Sequence, residues 1–357
     1  MIYIVPPTPP AAEITTIVTT NDGVPKVVEE MEEKAKAARE GGRALQALSS
    51  DEREAILRAI AYAISANAEK ILQENARDVL LAKTAEITEA NEKRLKLTRE
   101  KLDTLCDGIL SISRQEEPIA ALQSRVELSE GLVLDKVTCP IGVLLVIFES
   151  RPDCLPQIAA LAIRSGNGLL LKGGKEAEHS CTYLHKVIGD AIEQASGGRV
   201  GRECIGLVKS RQDISNLLAL DTYIDLVIPR GSGAMVKHIK ENTRIPVMGH
   251  ADGVCHLYLD ENMDVEKAKR VSVDSKTDYP SACNAAETLL VHRTLLQNGS
   301  AQEVVNALTA AGVTLMGDKE AQTFGLVPHG NDCLDYHTEY GNLTISVKIV
   351  ENMEEGE

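Results

Sequence analysis

The chain has 357 residues, a net charge of −15 at pH 7, 43% hydrophobic residues, only two phenylalanines and no tryptophan. That length suffices for two compact domains, and the core must be built from Leu, Ile, Val and Ala. The acidic balance excludes non-specific nucleic-acid binding, which needs a basic face to displace counterions, but it leaves room for a local basic pocket around an anion.

Residues 1–24 carry clustered prolines and threonines and end on Asn21-Asp22-Gly23, the composition of a flexible linker remnant. Their apolar start lacks the basic flank and long apolar centre of a signal peptide. From Pro25 to about Leu105 the pattern is helical, opening with a heavily charged helix over residues 27–47. Ser49 and Glu52 have the spacing of a capping box. Ile56, Ile60 and Ile64 then recur every four residues, so one stripe of that helix faces a core. Near Arg125 the pattern changes: residues 126–137 alternate with period two around Gly131, which predicts a hairpin. From Pro140 onward short apolar runs alternate with helical stretches. Buried strands are expected at 142–148, 168–172, 205–208 and 226–229, and helices over 156–164, 176–195, 213–220 and 233–242. Such alternation predicts a doubly wound, mainly parallel α/β sheet. A second α/β segment is expected over 254–350, with strands at 255–259 and 288–292, helices over 265–274 and 301–311, and a tail at 351–357.

The eight cysteines, Cys106, Cys139, Cys154, Cys181, Cys204, Cys255, Cys283 and Cys333, are scattered, and none forms a C-x-x-C pair. A zinc site is therefore not expected. In a chain of this size the scatter does not describe a disulfide framework, and free thiols suit a reducing compartment such as the cytoplasm, with the mitochondrion open for an animal parent. The longest strongly apolar run, Val143 to Phe148, is too short to span a membrane.

One cysteine stands apart. Lys276-Thr277-Asp278-Tyr279-Pro280-Ser281-Ala282-Cys283-Asn284 sets Cys283 in a small, polar, loop-like context. Cys283 there is either a nucleophile for a carbonyl, with Asn284 orienting that carbonyl, or a small residue filling a turn. Two strand-to-helix junctions carry the features of a nucleotide site. Lys172-Gly173-Gly174-Lys175 joins bare backbone, which a ligand can approach closely, to two lysines. Arg230-Gly231-Ser232-Gly233 opens a helix whose N–H groups favour an anion. Neither is a P-loop or a G-x-G-x-x-G fingerprint, and each also reads as an ordinary turn. Glu149-Ser150-Arg151-Pro152-Asp153 follows the most apolar strand, where Arg151 either grips a phosphate or carboxylate or closes a local salt bridge. His250, in Gly249-His250-Ala251-Asp252-Gly253, reads as a structural histidine.

Taken in order, these segments resemble the γ-glutamyl phosphate reductases of the aldehyde dehydrogenase superfamily, including the reductase half of bifunctional delta-1-pyrroline-5-carboxylate synthases. The residues that carry the resemblance are 143–152, 165–177, 228–232, 249–253 and 276–284, and it extends over about residues 25–350. It implies an aldehyde dehydrogenase-like α/β fold: a dinucleotide-binding domain over 25–253, a catalytic domain over 254–350, and a β-hairpin oligomerisation element at 126–137. It also implies that Cys283 is the nucleophile and that Ser150 lies near an oxyanion-hole position, with Asn284 assisting. Lys172 would reach the adenosine ribose, Gly173 and Gly174 would line the cofactor, and Gly231 and Ser232 would form the pyrophosphate turn. Lys175, standing where NAD-preferring relatives often carry an acid, implies NADPH. Arg151 and Lys276 are then the candidates for binding the substrate, L-glutamyl 5-phosphate. The 249–253 loop has no glutamate to serve as a deacylating base, as suits a reductase. Relatives with this pattern continue past residue 357, so the chain is expected to be a C-terminally truncated piece of a homo-oligomeric parent, with or without a fused glutamate kinase domain. The alternatives are an oxidising aldehyde dehydrogenase using the same thiol, or a non-catalytic truncated scaffold.

Overall fold

The computed structural model describes residues 26–84, 89–149, 151–208, 211–231, 233–249 and 253–356. The chain divides after Gly249 into two compact units.

The first unit opens with five helices: α1 (Lys26–Gln46), α2 (Ser50–Ala66), α3 (Ala68–Thr84), α4 (Glu89–Leu95) and α5 (Arg99–Ser113). The expected capping box begins α2: Ser49 Oγ accepts the Glu52 N–H, and Glu52 accepts the Ser49 N–H. The Ser49 N–H, with Arg199 behind it, holds the Glu52 carboxyl down to about 2. The hairpin follows as β1 (Leu122–Ser129) and β2 (Leu132–Val137). Then come β3 (Val143–Phe148), α6 (Cys154–Arg164), β4 (Gly168–Lys172), α7 (Glu178–Ala195), β5 (Ile205–Val208), α8 (Arg211–Leu217), β6 (Leu226–Arg230) and α9 (Gly233–Glu241). The sheet order is β5-β4-β3-β6, and every pairing is parallel. Pro229 is tolerated in β6 because this strand lies at the end of that order, where a missing N–H disturbs the ladder least.

Alternation along the central strand explains the two cores. Val143, Leu145 and Ile147 point into a cluster with Met31, Ala35 and Ala38 of α1. Leu144, Val146 and Phe148 point into the larger cluster with α2, α5, α6 and α7. A strand covered on both faces reads as a continuous apolar run, as β3 does. Helix α7 begins two residues later than the sequence pattern indicates, because Lys175–Ala177 first make a short 3-10 turn.

Two buried arginines fix the exit of the hairpin from the body. Arg53 donates to the carbonyls of Leu45 and Leu48 at the end of α1 and to Glu117 at 2.7 Å. Arg164 donates to Ser50 Oγ at 2.9 Å and to the Gln115 carbonyl. Burial would raise the Glu117 carboxyl, but hydrogen bonds from Ser50, the Ile119 N–H and Arg53 outweigh it and leave the group lowered.

The second unit contains β7 (Cys255–Leu259), α10 (Val265–Thr277), β8 (Ala286–His292), α11 (Ser300–Ala310), β9 (Thr314–Gly317), α12 (Lys319–Thr323), β10 (Thr344–Val350) and α13 (Met353–Gly356). Its sheet order is β7-β8-β10-β9, again all parallel, over a core that includes Leu289, Val291, Val304, Leu308, Ile345 and Val347. Two strands here were not expected. β9 is only four residues long, and β10 follows a long polar stretch that hides its start. The expected tail also contains a helical turn, α13. No helix among the described residues is long and apolar enough to cross a membrane.

Gly41 and Gly42 lie in mid-helix, where Ala is favoured by about 1 kcal/mol. Their absence of side chains lets α1 touch backbone directly. A Cβ on Gly41 would lie 2.4 Å from Cys204 Cβ, and one on Gly42 would lie 2.6 Å from the Gly168 nitrogen. Such overpacking costs about 1–3 kcal/mol and outweighs the helix gain. Gly41→Ala is therefore expected to lower the urea midpoint; an unchanged or raised midpoint would show that α1 can shift freely.

Candidate active site

In the first unit the loops that follow the strands all leave from the carboxyl edge of the sheet. The chain runs from β3 outward through β4 to β5, then returns to the other side of β3 as β6. The connection reverses between β3 and β6, so a crevice opens outside their carboxyl ends. Glu149 and Arg151 follow β3, and Gly231 follows β6. A Cβ on Gly231 would lie 3.0 Å from a Glu149 carboxylate oxygen, so the two loops are in close contact. Arg151 and Arg230 both lie near the Cys154 thiol. Burial and Asp153 push that thiol up to about 11 against the opposing pull of the two guanidinium groups. Ser150, Ser232 and His250 lie outside the described residues.

Beyond β4, Gly173, Gly174 and Lys175 line a small open recess, together with Cys181 and Thr182 of α7 and the end of β5. A Cβ on Gly173 would lie 3.2 Å from the Cys181 sulfur and 3.4 Å from the Phe148 ring. A side chain at that position would fill the floor of the recess. Lys172, the last residue of β4, is buried, whereas Lys175 is exposed. Glu178 lines the same recess, so an acid shares it with the lysine.

The N-terminus of α7 is not free to hold an anion. Asp78 reaches it from α3, accepting the N–H of His179 at 3.0 Å and of Ser180 at 2.7 Å, and the Ser180 hydroxyl at 2.5 Å. An internal carboxylate thus already satisfies these amides and the helix dipole. Asn75, one turn earlier, donates to the Leu95 carbonyl and accepts the Leu97 N–H, tying the α4–α5 junction to the same place. Nothing in the local sequence around Asp78 marks this role, because its partners are about one hundred residues away.

In the second unit the interesting edge is the opposite one. The segments before β7, β8 and β10 meet at the amino end of its sheet. Cys283 and Asn284 are exposed on the turn between α10 and β8. That turn is closed by the Ala282 N–H donating to the Tyr279 carbonyl and the Ala285 N–H donating to the Ala282 carbonyl. Gly253, before β7, packs on the main chain of Cys283: a Cβ there would lie 2.3 Å from the Cys283 carbonyl oxygen. The Cys255 thiol donates to the same carbonyl at 3.6 Å and is pushed up, chiefly by burial.

Exposure separates the eight thiols, all of which are free. Burial pushes up Cys106, Cys154 and Cys181, and Cys204 to about 12, and so disfavours their thiolates. Only Cys139 and Cys283 are exposed.

Lys276 differs from the sequence-based expectation. α10 runs on to Thr277, so Lys276 lies in its last turn and not in a loop. The residue is fully buried, and its ammonium donates to the equally buried Glu287 at 2.8 Å. An ammonium with no exposed surface is not positioned to meet a substrate anion. Sequence reading missed Glu287 and Glu339, and it quoted Gly253 in the 249–253 loop without a role of its own. The available signal was a lone carboxylate, Glu287, inside the otherwise apolar and neutral run Ala285 to Val291.

The aldehyde dehydrogenase family profile matches residues 8–331. Over 322 residues the chain is 50% identical to a delta-1-pyrroline-5-carboxylate synthase of Mesembryanthemum crystallinum, covering 89% of this chain and 44% of that protein. It therefore spans less than half the length of such relatives. A gamma-glutamyl phosphate reductase of Prochlorococcus marinus is 42% identical over 94% of this chain and 76% of its own length. Among solved structures, the gamma-glutamyl phosphate reductase of Thermotoga maritima superposes with a TM-score of 0.85 at 29% identity, covering 92% of this chain and 78% of that one. With the profile matching most of its length, the chain belongs to the aldehyde dehydrogenase family, on its gamma-glutamyl phosphate reductase branch.

Proposed function

We propose that the chain is the reductase portion of an enzyme that converts L-glutamyl 5-phosphate into L-glutamate 5-semialdehyde and phosphate, a step of proline biosynthesis. The observation that carries this reading is the exposed Cys283 on its turn, in a chain 42% identical to a gamma-glutamyl phosphate reductase over 76% of that protein. Cys283 attacks the acyl carbon, the C–O bond to phosphate breaks, and a thioester forms. Phosphate is a good leaving group and needs little acid assistance. The oxyanion falls to the Cys283 N–H, with Ser150 or Asn284 as the second donor. After reduction, the thiohemiacetal expels the Cys283 thiolate, and the semialdehyde leaves. Arg151 is the candidate contact for the substrate phosphate or carboxylate. Lys276 belongs behind the site.

The residues of the first unit fit a nicotinamide dinucleotide. At Gly173 a Cβ would crowd the recess against Cys181 and Phe148, and the β3–β6 crevice carries Arg151 and Arg230. Lys172, Gly173, Gly174, Lys175, Gly231 and Ser232 would hold the group, which when bound supplies hydride. Lys175 favours the 2′-phosphate of NADPH, while Glu178 in the same recess works against it. The cofactor preference is thus a balance of two side chains.

We further propose that the hairpin is covered by a second copy of the chain. Every residue of β1 and β2 is exposed, including Val126 and its cross-strand partner Leu134. Arg125 and Asp135 form a bidentate ion pair at adjacent positions, which point to the opposite face of the ribbon. An isolated two-stranded hairpin is marginally stable, and an apolar face of this kind calls for burial.

Three outcomes are expected. Cys283→Ser lowers phosphate-dependent NADPH formation from the semialdehyde by about a thousandfold or more while sparing NADPH binding; near-normal turnover would remove Cys283 as nucleophile. Lys175→Glu shifts the ratio of kcat/KM for NADPH to that for NADH downward by about tenfold or more, the value of one charge-assisted contact. An unmoved ratio would mean that another residue reads the phosphate. Val126→Asp with Leu134→Asp reduces the sedimenting mass without loss of helical signal, and an unchanged mass would contradict the proposed cover.

A further inference from the structure

We propose that the buried Lys276–Glu287 ion pair and the 336–341 loop form a clamp that fixes the cysteine turn. Lys276 and Glu287 then act as positioning residues for chemistry at Cys283. The inference rests on the reading of Cys283 as the nucleophile.

The placement of the pair is the first argument. Lys276 lies in the last turn of α10 and Glu287 is the second residue of β8, so their contact closes the base of the segment that carries Cys283. Its chemistry is the second. Both side chains have 0% exposure. Taking two charges out of water is costly enough that apolar residues of equal volume usually serve stability as well or better. What an ion pair adds is a fixed distance and direction. Both oxygens of Glu287 are engaged: one accepts from Lys276 at 2.8 Å and the other from the Gly341 N–H at 3.2 Å.

The contacts then return to the cysteine. In the loop that Glu287 holds through Gly341, Glu339 accepts the Gly253 N–H at 2.9 Å. Gly253 in turn packs on the Cys283 main chain with no room for a Cβ. The route from Lys276 through Glu287, the 339–341 segment and Gly253 ends on the residue whose turn it began by closing. The Cys283 backbone is thereby gripped from within while its side chain faces solvent. Neither Lys276 nor Glu287 reaches solvent, so neither touches substrate.

The test is the double variant Lys276→Met/Glu287→Leu, which keeps volume and removes both charges without leaving one unpaired. The expected result is a Tm within a few degrees of the parent, kcat lower by about ten- to a hundredfold, and KM within about threefold, because misplacing a reacting group by about 1 Å costs that much rate. Amide exchange of residues 279–285 should be about tenfold faster or more, with the strands of the first unit unchanged. A folded double variant with parental kcat and parental exchange overturns the clamp. Should that variant not fold, Glu339→Ala on the exposed loop decides, because it removes the acceptor of the Gly253 N–H: a smaller kcat loss with the same split from KM supports the clamp, and none overturns it. If the parent chain lacks glutamyl phosphate reduction altogether, the functional reading fails, and exchange in residues 279–285 alone judges the clamp.

Discussion

All strands in both main sheets are parallel, and that constraint organises everything else. Parallel neighbours cannot be joined by tight turns, so each connection must cross a face of the sheet and deliver its loops to the two edges. Polar, glycine-rich segments far apart in sequence then meet by construction. In the first unit they meet beyond β3, β4 and β6, where Arg151, Gly173 and Gly231 emerge. In the second they meet before β7, β8 and β10, where Gly253, Cys283 and Gly341 converge. One fold rule, read at opposite edges, supplies a glycine-lined crevice and a turn bearing an exposed cysteine.

Periodicity made the first unit readable. β3 and β4 are fully buried apolar runs bounded by glycine or proline, and the strand at 168–172 begins and ends where the pattern indicates. The capping box at Ser49 is equally local. The second unit was harder because its decisive strands are short or follow polar stretches. β10 pairs with β8 and β9 across long gaps in sequence, which no local pattern encodes. The same limit applies at the sites. Cys283 stood out because its neighbours are small and polar, whereas Glu287, Asp78 and Glu339 matter only through partners brought in by the fold. Lys276 was misread for a related reason. A lysine near a cysteine suggests a ligand contact, and only tertiary structure reveals that a carboxylate eleven residues on already claims it.

The buried charges share one logic. Asp78 satisfies the start of α7, Arg53 and Arg164 satisfy carbonyls at helix ends and in the loop before the hairpin, and Glu287 spans an ammonium and an amide. Each sits where a chain segment changes direction. Hydrophobic packing alone tolerates sliding there, while directional hydrogen bonds do not. Glycine does the complementary work: Gly41, Gly42 and Gly253 bring backbones into contact where a methyl group would hold them apart.

The unequal burial of the thiols has a chemical corollary. Five of the eight, Cys106, Cys154, Cys181, Cys204 and Cys255, are held toward the protonated form, and two are open to solvent, one in each unit. An electrophile or oxidant in solution therefore meets two ready targets, and under the chemistry argued above only one of them governs turnover. If Cys283 is the nucleophile proposed above, sulfur consumed and catalysis lost would not run in proportion: damage at Cys139 would be silent, and a single lesion at Cys283 would be complete.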